Sequence, residues 1–202
     1  MMILRNSPAS PFGRKVRIAI KLLGLDKDVE IRAADTNDPN DDLRRQNALG
    51  KIPTLIDEGG TAYFDSRVIV EYLDTRAGGG RIIPRDGKAR FDALRLQALC
   101  DGIADASLLL VYEGRYRPAE RHEEKWVSLQ TGKVDRGLAT LEAAPPAIDA
   151  TPNVGQIALA CVLGYRDLRF EGKWRKDYPK LVAWLDKFAA QVPAFEETRF
   201  KG

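Results

Sequence analysis

The fold of this chain is decided by residues 50–73, "GKIPTLIDEGGTAYFDSRVIVEYL". In this stretch the short apolar runs "IPTLID" and "TAYFD" flank "EGG", a pattern that predicts two strands joined by a hairpin. Apolar side chains then recur at helical spacing through residues 66–76, which predicts a helix. The side chains expected to face inward from that helix are Val68, Ile69, Tyr72 and Leu73. The stretch therefore predicts strand, strand and helix in succession.

The residues that precede this stretch predict a second unit of alternating elements. "MILRN" near the N-terminus and the alternating "DVEIRAA" at 28–34 predict strands, and residues 11–23 predict a helix between them. "DPNDDLRRQN" is polar and predicts a turn with a short, loosely packed helix. On the helix at 11–23, Arg14, Lys15 and Arg17 are expected to form a solvated basic face. The order is thus strand, helix, strand, then strand, strand, helix.

The residues that follow have a different character. "AGGGRIIPRDG" at 77–87 contains four glycines and a proline and is typical of a linker. Beyond it, apolar spacing predicts helices over residues 88–116, 119–143, 153–169 and 178–191. The chain is therefore divided into an α/β domain at 1–76, a linker at 77–87 and an all-helical domain at 88–202.

The long helix at 88–116 carries apolar side chains on more than one face. Its inward stripe is expected to contain Phe91, Leu94, Leu99, Ile103 and Leu110. Leu96, Leu108 and Leu109 fall off that stripe. A helix that is apolar around most of its circumference needs a partner on each side, so a homodimer with an isologous interface is expected.

Composition narrows the classes of function. The net charge of +3 over 202 residues is too small to indicate binding to nucleic acid or to an anionic membrane. No apolar run approaches the roughly 20 residues of a membrane span, and the N-terminus does not resemble a signal peptide, so a cytoplasmic protein is expected. Cys100 and Cys161 are expected to be buried free thiols, and His122 lies in the charged run "ERHEEK". No metal site is expected from this set.

Ser10 is the better of two candidate serines in "SPASPFGRKVRIAI", residues 7–20. It is followed by Pro11, and proline is favoured as the first residue of a helix, so Ser10 is predicted to be the N-cap. Ser7 also precedes a proline but lies three residues too early. Asn153 with Gln156 in "TPNVGQIALA" predicts a capping box, which is a structural role.

Three separated motifs resemble the glutathione transferase superfamily. They are the serine that opens the first helix, "NALGKIPTLID" at 47–57, and the acidic-serine pair in "FDSRVIVEYL" at 64–73. The resemblance implies an N-terminal thioredoxin-like domain (βαβ-ββα) followed by helices. It also implies a cytosolic enzyme that conjugates glutathione, its co-substrate, to hydrophobic electrophiles in detoxification. Peroxide reduction, dehalogenation and isomerisation are related reactions in the same family.

The resemblance also implies roles for individual residues. Ser10 would donate a hydrogen bond to the glutathione thiolate, and the Ile52–Pro53 peptide bond would be cis. Asp65 and Ser66 would bind the γ-glutamyl end, Lys51 the glycyl carboxylate, and Asp101 the amine of the neighbouring subunit's ligand. The pocket for the second substrate is expected to contain Phe12, Leu110, Tyr112 and Tyr116.

Most of these assignments have a purely structural alternative. Ser10 and the Asp65–Ser66 pair would then only cap helices, Pro53 would be a trans residue of an edge strand, Lys51 would be a solvated loop residue, and the pocket residues would be core. A non-catalytic binding or regulatory protein of the same fold is the alternative function. A thioredoxin-type oxidoreductase is disfavoured because "SPFG" stands where CxxC is expected.

Overall fold

Strands and helices alternate through the first 76 residues of the computed structural model, which describes residues 1–201. The elements are β1 (Met2–Asn6), α1 (Pro11–Leu23), β2 (Val29–Ala33), α2 (Leu43–Gln46), β3 (Thr54–Ile56), β4 (Ala62–Tyr63) and α3 (Ser66–Arg76). The strands form one sheet in the order β2-β1-β3-β4. β1 pairs in parallel with β2 across the α1 connection, and it pairs antiparallel with β3, placing Leu4 opposite Leu55. This topology confirms the predicted βαβ-ββα arrangement.

Helices α1 and α3 pack against each other beside the sheet. Val16, Ile20 and Leu23 of α1 and Ile69 and Leu73 of α3 are buried there, as their helical spacing predicts. The expectation that Val68 faces inward is wrong, because its side chain is 47% exposed and the neighbouring Val70 is buried instead. The inward face of α3 is thus rotated by about one residue from the predicted one.

Asp41 holds the polar segment between β2 and α2 in place. Its carboxylate accepts hydrogen bonds from the backbone N–H groups of Asp35 at 2.8 Å and Leu43 at 2.7 Å, and from the buried Arg5 at 2.7 Å. These contacts, led by the one from Asp35, lower the pKa of Asp41 because they stabilise its charged form. The Asp41 carboxylate therefore ties a segment with little apolar content to β1 through Arg5 and to α2 through Leu43.

The segment at 77–87 is held against both halves of the chain. The carboxylate of Asp74 accepts hydrogen bonds from the backbone N–H groups of Gly80, Arg81 and Ile82 at 2.8 to 3.0 Å. Ile82 is buried, and its carbonyl oxygen accepts from the N–H of Val154 at 2.8 Å. This connection between α3 and the later helices is therefore hydrogen-bonded both to Asp74 of α3 and to Val154 of α6.

The second half of the chain is helical. Its helices are α4 (Gly87–Tyr116), α5 (Glu124–Ala143), α6 (Val154–Phe170), α7 (Pro179–Gln191) and α8 (Pro193–Glu197). Helix α6 is buried along most of its length and packs against both α4 and α1. Asn153 and Gln156 form the predicted capping box, in which the Asn153 side chain accepts from the N–H of Gln156 at 3.2 Å. These observations confirm the predicted fold class.

The helical half differs from the prediction in three places. Residues Ala119–Arg121 form a 3-10 turn, and α5 begins only at Glu124 because the Glu123 side chain caps it there. The short helix α8 was not predicted. Phe91 does not face inward but is 70% exposed on α4. Across residues 1–201, none of the helices combines the length and apolar character that crossing a membrane requires.

Candidate active site

A cavity of about 110 Å³ brings together most of the residues expected to bind glutathione. Its lining includes Lys51, Ile52, Pro53, Asp65, Ser66 and Asp101, and also Phe12. These residues come from the loop before β3, the start of α3, the middle of α4 and the start of α1. The fold therefore assembles residues that lie as far as 89 positions apart in the sequence into one site.

The loop before β3 is held by hydrogen bonds around Lys51. The carbonyl oxygen of Lys51 accepts from Asn47 Nδ2 and from Thr54 Oγ1, each at 3.0 Å. The Ile52–Pro53 peptide bond that follows is cis, which confirms the expectation, and the Lys51 side chain is exposed. Asn47 also lines the cavity and was not singled out in the sequence. Its position in a polar loop carries no periodic signal that would have revealed it.

The start of α3 forms one wall of the cavity. Asp65 is the N-cap, and its Oδ1 accepts from the backbone N–H of Arg67 at 3.0 Å. Asp65 is exposed whereas Ser66 is buried. The Phe64–Asp65 peptide bond is cis. A capped helix start with a buried hydroxyl presents free backbone N–H groups, which favour a carboxylate.

Asp101 of α4 also lines the cavity and belongs to a buried ion-pair network. Its two carboxylate oxygens each accept from Lys15 Nζ at 2.8 Å, and its Oδ2 lies 3.2 Å from Arg67 Nε. Lys15 is only 1% exposed and Arg14 only 8% exposed, so the expected solvated basic face on α1 is wrong. The packing of α1 against α4, α6 and α8 buries that face.

Asp105 also lines the cavity and lies one turn after Asp101 on α4. Burial, and then the neighbouring Asp101 charge, raise the pKa of Asp105. Asp101 was expected to face the ligand of a neighbouring subunit. Within this chain it already lies in the wall of the cavity formed by its own residues.

Ser10 caps α1, as predicted. Its Oγ accepts from the backbone N–H of Gly13 at 3.1 Å, and its backbone is extended with φ −74° and ψ 125°. A hydroxyl that accepts one hydrogen bond still has its proton to donate. Ser7 makes a different contact, because its carbonyl oxygen accepts from the N–H of Ser10 at 3.0 Å. Ser10 is therefore the serine at the mouth of the helix.

Ser10 does not line the 110 Å³ cavity but a second one of about 290 Å³. Adjacent residues of α1 connect the two, since Pro11 lines the larger cavity and Phe12 the smaller. The larger cavity is further enclosed by α6 and by the C-terminal residues, and Tyr165 of α6 lies in its wall. Burial raises the pKa of this tyrosine.

Leu110, Tyr112 and Tyr116 line neither of these two cavities within residues 1–201. Tyr116 is exposed, and its hydroxyl donates to Asn37 Oδ1 at 3.0 Å, which ties the end of α4 to the loop after β2. The ring of Tyr112 packs edge-on against Tyr116 with 5.2 Å between centroids. Of the four residues expected in the second pocket, Phe12 is the one that lines either of these two cavities, and it lines the smaller.

The cysteines are buried free thiols, as expected. Burial raises the pKa of Cys161 to about 11 and raises that of Cys100 as well, so both stay protonated at neutral pH. In the described part of the chain, no group of three or more His, Cys, Asp or Glu side chains is placed to hold a metal ion.

Comparison with known proteins gives a consistent result. Family models for the N-terminal and the C-terminal domain of glutathione S-transferases match residues 4–81 and 124–187. The chain is 34% identical over 193 residues to YibF, an uncharacterized GST-like protein of Escherichia coli K12, and the match covers 92% of each chain.

Two solved structures are similar over nearly the whole chain. A glutathione transferase family member from Pseudomonas fluorescens Pf-5, with bound glutathione, has a TM-score of 0.89 and 39% identity over 98% of both chains. A glutathione S-transferase from Methylobacillus flagellatus KT, also with bound glutathione, has a TM-score of 0.90 and 34% identity over 98% of this chain and 99% of the other. Because the two domain models match most of the sequence and the fold agrees throughout, this chain belongs to the glutathione S-transferase family.

Proposed function

We propose that this protein is a cytoplasmic glutathione transferase that binds glutathione in the 110 Å³ cavity. Residues 1–76 would form the glutathione-binding domain and residues 88–202 the helical domain, with 77–87 between them. The observation that carries the proposal is that Lys51, the cis Ile52–Pro53 bond and the Asp65–Ser66 pair meet in one cavity, whose wall includes Phe12, two residues after the Ser10 cap. Glutathione bound to two structures that match 98% of this chain supports the same conclusion.

The charges around the cavity fit the three charged groups of glutathione. The γ-glutamyl carboxylate would meet the N-terminus of α3 at Ser66, and its amine would meet the exposed Asp65. Lys51 would face the glycyl carboxylate. Asp101 is already paired with Lys15, so within its own chain we assign it the role of positioning Arg67. Its expected contact with the ligand of a neighbouring subunit stays a prediction.

Ser10 would stabilise the thiolate by donating its hydroxyl proton. A free thiol has a pKa of about 8.5, and lowering it by two units needs about 2.7 kcal/mol. A hydrogen bond from a neutral hydroxyl contributes about 1 kcal/mol, and more when the acceptor is charged. The N-terminus of α1 adds about 0.3–2 kcal/mol. Together the two contributions account for the shift without a general base.

Glutathione binding tests the proposal directly. Isothermal calorimetry should show binding by the wild-type protein, and a chloronitrobenzene substrate should be conjugated. Asp65→Ala should weaken binding roughly tenfold or more, because it removes a charged contact. Asn153→Ala is the matched control, since Asn153 is also a helix N-cap whose side chain accepts a backbone hydrogen bond, but it does not line the cavity. If Asp65→Ala binds glutathione as tightly as the wild-type protein does, Asp65 and Ser66 serve only to cap α3.

The role of Ser10 is tested by a spectroscopic titration of the bound thiol. Ser10→Ala should raise the thiol pKa by about one unit, whereas Ser7→Ala should leave it unchanged. Ser10→Asp retains a side chain that can cap α1 but cannot donate when ionised, so it should also raise the thiol pKa while preserving stability. Binding without a shifted thiol pKa and without conjugation would instead indicate the non-catalytic alternative. A panel of peroxide, haloalkane and isomerisation substrates distinguishes the possible reactions.

We also propose a homodimer. Phe64, two residues before α3, Val68 on α3 and Phe91 on α4 are exposed large apolar side chains, and an interface between two copies would cover them. Light scattering at micromolar concentration should give about twice 22.5 kDa. Phe91→Glu should shift the mass towards the monomer, and a monomeric wild-type protein would contradict the assignment.

A further inference from the structure

The 290 Å³ cavity beside Ser10 combines apolar walls with arginine side chains. Pro8, Leu168 and Phe200 contribute apolar surface, and three arginines, Arg14, Arg175 and Arg199, also line it. Asp167 is the one carboxylate in the lining of this cavity, as far as the described residues show. The lining therefore has an excess of positive charge beside the site proposed for the thiolate.

Asp167 is fully engaged by its neighbours. Its Oδ1 accepts from Trp174 Nε1 at 2.8 Å and from Arg175 Nε at 2.9 Å, and its Oδ2 accepts from Arg175 at 2.7 Å. This two-point contact neutralises Arg175 and leaves Asp167 little capacity to repel an anion. The positive excess is thus carried by Arg14 and Arg199.

Arg14 is a buried cation whose hydrogen-bond acceptors are neutral. Its guanidinium donates to the carbonyl oxygen of Phe195 and to Thr198 Oγ1, and it lies 3.9 Å from the centroid of the Phe195 ring. Within residues 1–201 no carboxylate lies within 4.0 Å of it. Burial lowers the pKa of Arg14 because its charge is only partly compensated. A buried charge of this kind is stabilised by an anionic partner.

Arg199 stands at the solvent side of the same cavity. Its only carboxylate contact among the described residues is Glu196, at 2.8 Å on the neighbouring turn, and both side chains are about half exposed. Exposed pairs of this kind are weak, so Arg199 is free to meet a ligand. Ser10 is the N-cap of α1, and Arg14 lies one turn further along the same helix, an axial rise of about 6 Å.

From this geometry we infer that the second substrate is a small aromatic or aliphatic electrophile that carries a carboxylate or a similar anionic group. Its anionic group lies between Arg14 and Arg199, its apolar body lies against Leu168 and Phe200, and its reactive carbon points to Ser10. The inference rests on the proposed function, since glutathione must supply the attacking thiolate. It replaces the pocket expected around Leu110, Tyr112 and Tyr116.

Calorimetry with two glutathione conjugates tests this assignment without requiring turnover. The probes are S-benzylglutathione and S-(4-carboxybenzyl)glutathione, which differ by one carboxylate. The wild-type protein should bind the carboxylated conjugate about tenfold more tightly, as one charged hydrogen bond predicts. The ratio of the two affinities should fall towards one in Arg199→Gln and in Arg14→Gln. Because Arg14 anchors α8, the fold of Arg14→Gln is checked by thermal unfolding, and Arg199→Gln carries the test if that variant is unfolded.

Arg95→Gln is the matched control. Arg95 makes the same kind of exposed pair, with Asp92 three residues before it, but lies on α4 away from the cavity. It should keep the full preference. Equal affinity of the wild-type protein for both conjugates overturns the inference and leaves glutathione binding intact. A preference that survives Arg199→Gln also overturns it. Failure to bind either conjugate or glutathione itself overturns the proposed function and this inference with it.

Discussion

The ion pair between Lys15 and Asp101 offers the sharpest test of what holds the two halves of the chain together. Lys15 belongs to α1 and Asp101 to α4, and both are nearly inaccessible to solvent. Lys15 Nζ lies 2.8 Å from each carboxylate oxygen. Replacing Lys15 with Met removes the cation, retains most of the side-chain volume, and leaves Asp101 buried with only Arg67 nearby.

The expected loss is large because the remaining charge has no adequate partner. Removing one member of a buried pair typically costs about 3–5 kcal/mol. Arg67 Nε stays 3.2 Å from Asp101 and compensates part of its charge, so we expect a loss near the lower end, about 3 kcal/mol. Single domains are stable by only about 5–15 kcal/mol, so the change is easily measured.

Urea denaturation of Lys15→Met measures the free energy of unfolding. All variants are compared at one protein concentration, because a dimer would make stability depend on it. Lys88→Met removes an exposed pair with Asp92 and should change stability by less than about 1 kcal/mol. The double variant Lys15→Met/Asp101→Leu should regain at least half of the loss, since no buried charge remains. A loss below about 1 kcal/mol in Lys15→Met, or no recovery in the double variant, would refute this account.

Three further predictions concern local structure. Asn153→Ala removes the side chain that caps α6 and should lower the free energy of unfolding by about 0.5–2 kcal/mol, measured by urea denaturation. Gly13→Ala should destabilise the protein by about 1–3 kcal/mol, because the added methyl group would meet Asn6 Oδ1 of the buried Asn6 side chain at 1.7 Å. Asn6→Ala should rescue it, and an additive double variant would contradict the clash. Asp41→Asn should lose stability at neutral pH, and the difference from wild type should shrink as pH falls. The lowered pKa of Asp41 means that its contribution is complete above the unfolded value near 4 and is lost as pH falls through the folded value. A difference that is constant from pH 7 to pH 3 would exclude this role.

Local features of the chain were predictable because their causes lie within a few residues. The spacing of Val16, Ile20 and Leu23 determines the buried face of α1, and the Ser10–Pro11 pair determines where that helix begins. The capping box of α6 likewise depends on residues three positions apart. The motif around Pro53 and the Asp65–Ser66 pair indicated the family, and these residues do share one cavity.

Tertiary packing decided the features that no local pattern contains. Lys15 and Arg14 have the sequence character of solvent-exposed residues, yet they are buried because Asp101 and the residues of α8 lie against α1, 86 or more positions away. Phe91 was predicted to face the core but is exposed, since α5 and α6 cover the other faces of α4. The basic lining of the larger cavity joins α1 to the C-terminal residues. Side chains so distant in sequence meet only when the helices pack, and the charge and shape of that pocket therefore belong to the folded chain alone.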